Sequence, residues 1–446
     1  MGGAAFATGQ DALHTPRMAP AVYASVRARC HAVLFTLFTA VATPIEGPGK
    51  ADFGDIDIVV TLPFPISDVT AEDDPENTFL LQEATARLGA VRTSIAKGKA
   101  TMAIPWPADL LWLAPTPTYA NGDISLSGCF RSLPHIQVDV AVAPSLSLFY
   151  WALFKHSHGD FWSIASTSML RPLGLTVDER ALWLRVPEIE HKDRKRSKVF
   201  LTDEPAEVLR FLGLRILADF NGHRDGEGRD CNGGGCVSLW EQPFSTAQAL
   251  FDYIISSCFF YLPDLSSDSQ TMGNNTHPSL LKSNDRRRIQ RRSLFRQWVM
   301  EYVPALYVSG HHLPTKFNTG AVPSREAVRD AAFAFFPDSQ AQFELTCIRY
   351  HRENHLLAIR KAVKAAVPET LPRAHHVAVC SAMRLHLGLA VSGGESTPKT
   401  EMEAEEAAAA WTVDSVTNYI QEKWLGILEK VAPASYAKYV ADQRRV

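Results

Sequence analysis

The chain has 446 residues, long enough for two to three domains with sizeable cores. Its 46% hydrophobic and 21% charged content is that of a folded protein and excludes a disordered or low-complexity chain. Lys and Arg number 45 against 48 Asp and Glu, a formal charge of −3, so no global basic field marks a general nucleic-acid binder.

Residues 1–19 read as a flexible N-terminus. Pro20 can start a helix, and Val22, Val26, Val33, Leu34, Leu37, Phe38 and Val41 share one face at three-to-four spacing. The expectation is one helix closed by Thr43-Pro44. Glu46-Gly47-Pro48-Gly49-Lys50 follows, and two readings of it stay open. Glycines let backbone amides approach a phosphate, with Lys50 as a cationic contact; the same residues also make an ordinary turn.

The segment Phe53-Gly54-Asp55-Ile56-Asp57-Ile58-Val59-Val60 alternates as a strand does. Asp55 and Asp57 therefore share one face, while Ile56, Ile58 and Val60 bury the other. Asp is depleted from strand interiors, so the pair needs a reason, and a divalent cation such as magnesium carrying a nucleotide's phosphates supplies one. The blander reading is a solvated edge face. Residues 75–88 read as a helix, Lys97-Gly98-Lys99 as a turn into a strand over 100–106, and Asn121-Gly122 and Ser127-Gly128 as turns.

His135 to Val142 alternates in the same way, with Gln137 and Asp139 opposite Ile136, Val138, Val140 and Val142. Paired beside the first strand, it would bring Asp139 to Asp55 and Asp57. Three such carboxylates repel unless cations neutralise them. That is the ligand set of two-metal phosphoryl transfer: two carboxylates hold both ions, and the third serves the ion that activates the attacking hydroxyl. An apolar helix over residues 145–158 comes next. Its His156 and His158 are candidates for a metal or base, against the plainer account of a polar helix end before Gly159.

Gly49-Lys50-Ala51-Asp52-Phe53-Gly54-Asp55-Ile56-Asp57, followed by the Val138-Asp139-Val140 strand, resembles the nucleotidyltransferase fold superfamily of polymerase beta, and within it an uncharacterised phage and fungal branch. The resemblance covers residues 20–190. It implies an α+β fold, a nucleotidyltransferase-like mixed sheet with flanking helices, followed by an all-helical domain. It implies transfer of a nucleoside monophosphate from a nucleoside triphosphate to a hydroxyl acceptor: an RNA end, a protein or a small molecule. Asp55, Asp57 and Asp139 would be catalytic and hold Mg2+ or Mn2+; Gly47, Gly49, Lys50 and Gly54 would bind the nucleotide. One departure stands out. Most members carry a Gly-Ser pair upstream of the aspartates, where this chain has Gly47-Pro48-Gly49-Lys50. The alternative is therefore a catalytically inactive scaffold of the same fold that binds RNA or protein.

The division expected from the sequence is a catalytic domain over 20–198, a helical domain over 199–390, an acidic linker over 391–410 and a C-terminal helical segment over 411–446. Helices are expected over 204–220, 245–260, 286–302, 324–335 and 340–366. The run Arg286, Arg287, Arg288, Arg291 and Arg292 lies on a helix with an aromatic face, a candidate contact for an RNA acceptor. Cys231-Asn232-Gly233-Gly234-Gly235-Cys236, with His223 nearby, lacks four evident zinc ligands and reads as an exposed insertion. Seven scattered cysteines and no apolar run of the roughly 20 residues a bilayer needs point to the cytoplasm or nucleus, without a membrane.

Overall fold

The computed structural model describes residues 3–8, 12–64, 77–115, 133–216, 239–262, 283–309, 323–390 and 400–444. Helix α1 (Pro20–Leu34) opens on a proline, whose absent N–H is no loss in a first turn. It stops at Leu34 rather than running to Val41. The Thr36 hydroxyl donates to the Val33 carbonyl at 2.7 Å, competing with the helical ladder. The residues beyond, rich in β-branched side chains, pair instead as strand β1 (Phe38–Ala42) with β2 (Asp55–Pro63).

Three more strands complete the sheet: β3 (Arg92–Ala96), β4 (Lys99–Pro105) and β5 (His135–Val142), in the order β1-β2-β5-β4-β3. Only β2 and β5 run parallel. The structure is thus mixed α+β, with a helical C-terminal region. Ile56, Ile58 and Val60 of β2, Ile136, Val138 and Val140 of β5, and Ala100, Met102 and Ile104 of β4 form one buried face. Helices α1 and α2 (Thr78–Arg87) cover it through Val22, Val26, Leu34, Leu81 and Ala84. A one-residue slip would invert every side chain, so this burial fixes which residues the other face presents.

That other face meets α3 (Leu146–His156), whose Phe149 packs on Val59 and Ala143. Ser145 caps α3, its hydroxyl accepting from the Leu148 N–H at 3.2 Å. Ser145→Ala should cost about 1 kcal/mol of stability, read by chemical denaturation, with the sheet intact. After α4 (Phe161–Ala165) and a π-helical turn, β6 (Leu175–Val177), β7 (Leu182–Arg185), α5 (Pro187–Glu190) and β8 (Lys198–Thr202) follow, with the three strands in one small sheet.

The remainder is helical: α6 (Pro205–Phe211), α7 (Ala247–Ile255), α8 (Ser283–Arg291), α9 (Ser293–Gln297), α10 (Val303–Val308), α11 (Arg325–Phe335), α12 (Asp338–Ala366), α13 (Arg373–His386), α14 (Glu401–Ala409), α15 (Val413–Val431) and α16 (Pro433–Gln443). Helix α6 ends well before Phe220, because Gly213 takes φ +68° and its Cα lies too close to Cys258 for any Cβ without displacement. The single helix expected over 286–302 is broken at Arg292, which is extended (φ −129°, ψ 109°) and donates to Asp160 at 2.7 Å. Part of the stretch read as an acidic linker is helix α14, capped by Thr400.

The chain divides into two compact units, Met1–Arg185 with Phe200–Ser339, and Val186–Val199 with Gln340–Val446. The second unit has its own core, in which Ile359, Val363, Val379, Met383, Val416, Ile420 and Leu428 are buried. The 1–19 stretch is not loose where it is described: Phe6 and Met18 are buried, and Met18 pairs with Phe53 as an isolated bridge. The turns at Asn121-Gly122 and Ser127-Gly128, the Cys231 to Cys236 loop with His223, and most of the 392–400 stretch lie outside the described residues. Cys30, Cys258, Cys347 and Cys380 are free thiols. Among the described residues no helix is long and apolar enough to cross a membrane.

Candidate metal centre

Parallel pairing of β2 with β5 sets Asp57 opposite Asp139 and Asp55 opposite Gln137, so all four side chains stand on one face. One carboxylate oxygen from each of Asp55, Asp57 and Asp139 lies within 4.8 Å of the others. Repulsion and desolvation follow. Asp55 is raised above the ordinary carboxylate range, first by burial and then by Asp139. Asp57, although its outer surface is exposed, is pushed up to about 6 by loss of solvation and by Asp55, Asp139 and Glu46; His156 acts in the opposite sense.

Asp139 is held differently. One oxygen accepts from Gln137 Nε2 at 2.8 Å, and the other, Oδ1, is buried without a hydrogen-bond partner among the described residues. A buried carboxylate oxygen with no donor is costly unless a cation meets it. Three hard oxygen donors around one point therefore fit a divalent ion, and the donor set suits magnesium, manganese or calcium without choosing among them.

The loop before β2 is fixed by the end of α3. Ile45 donates its N–H to the Ser157 hydroxyl at 3.0 Å, and its carbonyl accepts from the His158 N–H at 2.6 Å. Glu46 accepts from the Tyr23 hydroxyl at 2.9 Å and pairs with Lys50 at 2.6 Å. Lys50 also sits 4.8 Å from the centre of the Phe53 ring, which stacks on Tyr23 at 3.9 Å. Gly47 abuts Gly159, where a Cβ would come 3.4 Å from the Gly159 Cα. Gly49 takes φ +70° with open space around it. Gly54 is approached by Gly3, at which a Cβ would overlap the Gly54 carbonyl. The structure thus brings the three aspartates together and places the expected nucleotide-binding loop beside them. Within that loop Gly47 is accounted for by packing, and Lys50 by its pairing with Glu46.

Neither histidine joins the triad. His156 Nε2 lies 2.9 Å from Glu179. His158 is fully buried, its Nε2 2.8 Å from the Trp240 carbonyl, and burial pushes it down to about 4. Of the arginine run, Arg288 and Arg292 pair with Asp285 at 2.5 Å and Asp160 at 2.7 Å, and Arg286, Arg287 and Arg291 are exposed on α8. Asp285, fully buried, also takes Arg171 at 3.3 Å. Sequence reasoning missed Glu46, Tyr23 and the bond from Gln137. The signal available for Gln137 was its place two residues before Asp139, a polar side chain on the same face of the strand.

A scan of the chain against protein-family models finds no match, and a search of curated proteins finds none.

Proposed function

We propose that the chain is a metal-dependent nucleotidyltransferase, transferring a nucleoside monophosphate from a nucleoside triphosphate to a hydroxyl on an RNA end, a protein or a small molecule. The observation that carries this reading is the in-register triad of Asp55, Asp57 and Asp139 on the polar face of two parallel strands. Magnesium or manganese bound there supplies positive charge to the phosphates and lowers the pKa of the attacking hydroxyl. The protein's own part is positional. Asp55 and Asp57 fix the ligand spacing through the strand repeat, Asp139 adds the third donor from β5, and the clamped loop over residues 45–50 presents Gly49 and Lys50 next to them. The resemblance carried by Gly49 to Asp57 supports the polymerase beta-like assignment, and the free thiols suit the cytoplasm or nucleus.

A second reading, an inactive scaffold of the same fold binding RNA or protein, rests on two observations: Lys50 is engaged by Glu46, and the Gly-Ser pair of most members of the superfamily it resembles is missing. Pyrophosphate release from each nucleoside triphosphate, with magnesium or manganese and with or without RNA, separates the two. The transferase reading expects release that vanishes in the Asp55→Ala/Asp57→Ala double variant, and stimulation by RNA would assign the acceptor class. No release, together with no nucleotide-dependent thermal shift, would favour the scaffold.

A further inference from the structure

We propose that Gln137 is a positioning residue for the metal centre, holding Asp139 with Oδ1 free for an ion and itself held by the backbone N–H of Ala5. The inference rests on the reading of the triad as a metal site. Gln137 is 6% exposed, and its two ends are both engaged: Oε1 accepts from the Ala5 N–H at 3.0 Å, and Nε2 donates to Asp139 Oδ2 at 2.8 Å. The chemistry fixes the amide's orientation. A backbone N–H only donates and an ionised carboxylate only accepts, so the oxygen must face Ala5 and the nitrogen Asp139.

The need for such a brace follows from the repulsion around it. The terminal torsion of an Asp side chain is soft, and a carboxylate facing two others would swing away from them. A hydrogen bond to one oxygen opposes that swing and leaves the other oxygen, Oδ1, without a partner. Groups that orient metal ligands in this manner contribute to affinity through the ligand they hold.

Ala5 is anchored in turn. The Thr15 hydroxyl donates to the Gly3 carbonyl, the Leu13 N–H donates to the Phe6 carbonyl at 2.8 Å, and the His135 N–H donates to the His14 carbonyl at 2.8 Å. Phe6 is buried and Gly3 lies against Gly54. Residues 3–8 are therefore part of the centre's support, one hydrogen-bond chain away from Asp139.

The test uses the full-length protein and Mn2+ alone, with free ion counted by electron paramagnetic resonance, so it requires no turnover. Gln137→Leu keeps bulk but removes both bonds, and should weaken Mn2+ binding roughly 10- to 100-fold. Ala5→Pro removes only the N–H. Ala5 is the second residue of a turn closed by the Ala7 N–H to the Ala4 carbonyl at 3.3 Å, a position that proline favours. It should weaken Mn2+ binding in the wild-type background and have no further effect in Gln137→Leu. A melting temperature in chelator accompanies each variant, because a purely structural role lowers that temperature and leaves the Mn2+ affinity alone. Unchanged affinity in both variants, or an Ala5→Pro effect equally large in the Gln137→Leu background, overturns the inference. Where Gln137→Leu fails to fold, unchanged affinity in Ala5→Pro overturns it by itself. Wild type that binds no Mn2+ overturns the metal reading as well, so the two failures are distinguishable.

Discussion

Asp57→Asn is expected to lower nucleotidyl transfer by about a thousandfold or more while raising the melting temperature of the metal-free protein. A cation at such a centre contributes several kcal/mol of transition-state stabilisation, and each 1.4 kcal/mol is about tenfold in rate. Asparagine is close to isosteric with aspartate but carries no charge to hold the ion, so the loss falls on turnover. Stability moves the other way. Asp57 is raised from 3.8 to about 6 in the fold. Between those values the folded protein keeps a proton that the unfolded chain has released, so stability from this group is present below 3.8 and lost as pH rises through 6. At neutral pH a charged Asp57 therefore works against the fold until a cation arrives. Pyrophosphate release and calorimetry in chelator, on the same preparation, read both effects. Full turnover with magnesium in Asp57→Asn would sink the metal assignment.

What the sequence made legible, and what it hid, follows from how each residue is constrained. β2 and β5 were readable because strict alternation leaves one solution for a half-buried strand, and the same alternation put Asp55, Asp57 and Asp139 on one face. β1 was not, because Phe38 to Ala42 fits a helical apolar stripe as well as a strand, and only the vacant edge of β2 decides. β3 was missed for the opposite reason: Arg92-Thr93-Ser94-Ile95-Ala96 is an edge strand with exposed side chains on both faces, and it offers almost no apolar pattern. The break at Arg292 needed Asp160, far away in the chain. At the centre, the candidate ligands were visible in the chain while the contacts that support them were not. The Glu46 pairing with Tyr23 and the Ala5 to Gln137 contact join residues 23 and 132 positions apart, and no local pattern announces either.

Metal-dependent stabilisation is expected to be gated by pH through the same group. Binding requires a deprotonated carboxylate, so protons compete with the ion once pH falls below the value of about 6 at Asp57. At a concentration one hundred times its dissociation constant, an ion that binds only the folded state adds about 2.7 kcal/mol. Each pH unit below the Asp57 value weakens the apparent affinity about tenfold, which roughly halves that gain at pH 5. The comparison to make is melting with and without magnesium at each pH, because the difference cancels every titration that is the same in both. The expected curve is flat above pH 7 and falls between about pH 6 and 4; Asp57→Asn should abolish it. A gain unchanged down to pH 4 would mean that the ion binds away from the triad. Asp55, raised in the same direction by burial and Asp139, extends the fall in the same sense, whereas His156 acts against it by favouring the ionised form of Asp57. Removing that imidazole with His156→Gln should therefore move the transition towards higher pH, an effect that separates a carboxylate-gated site from simple acid unfolding.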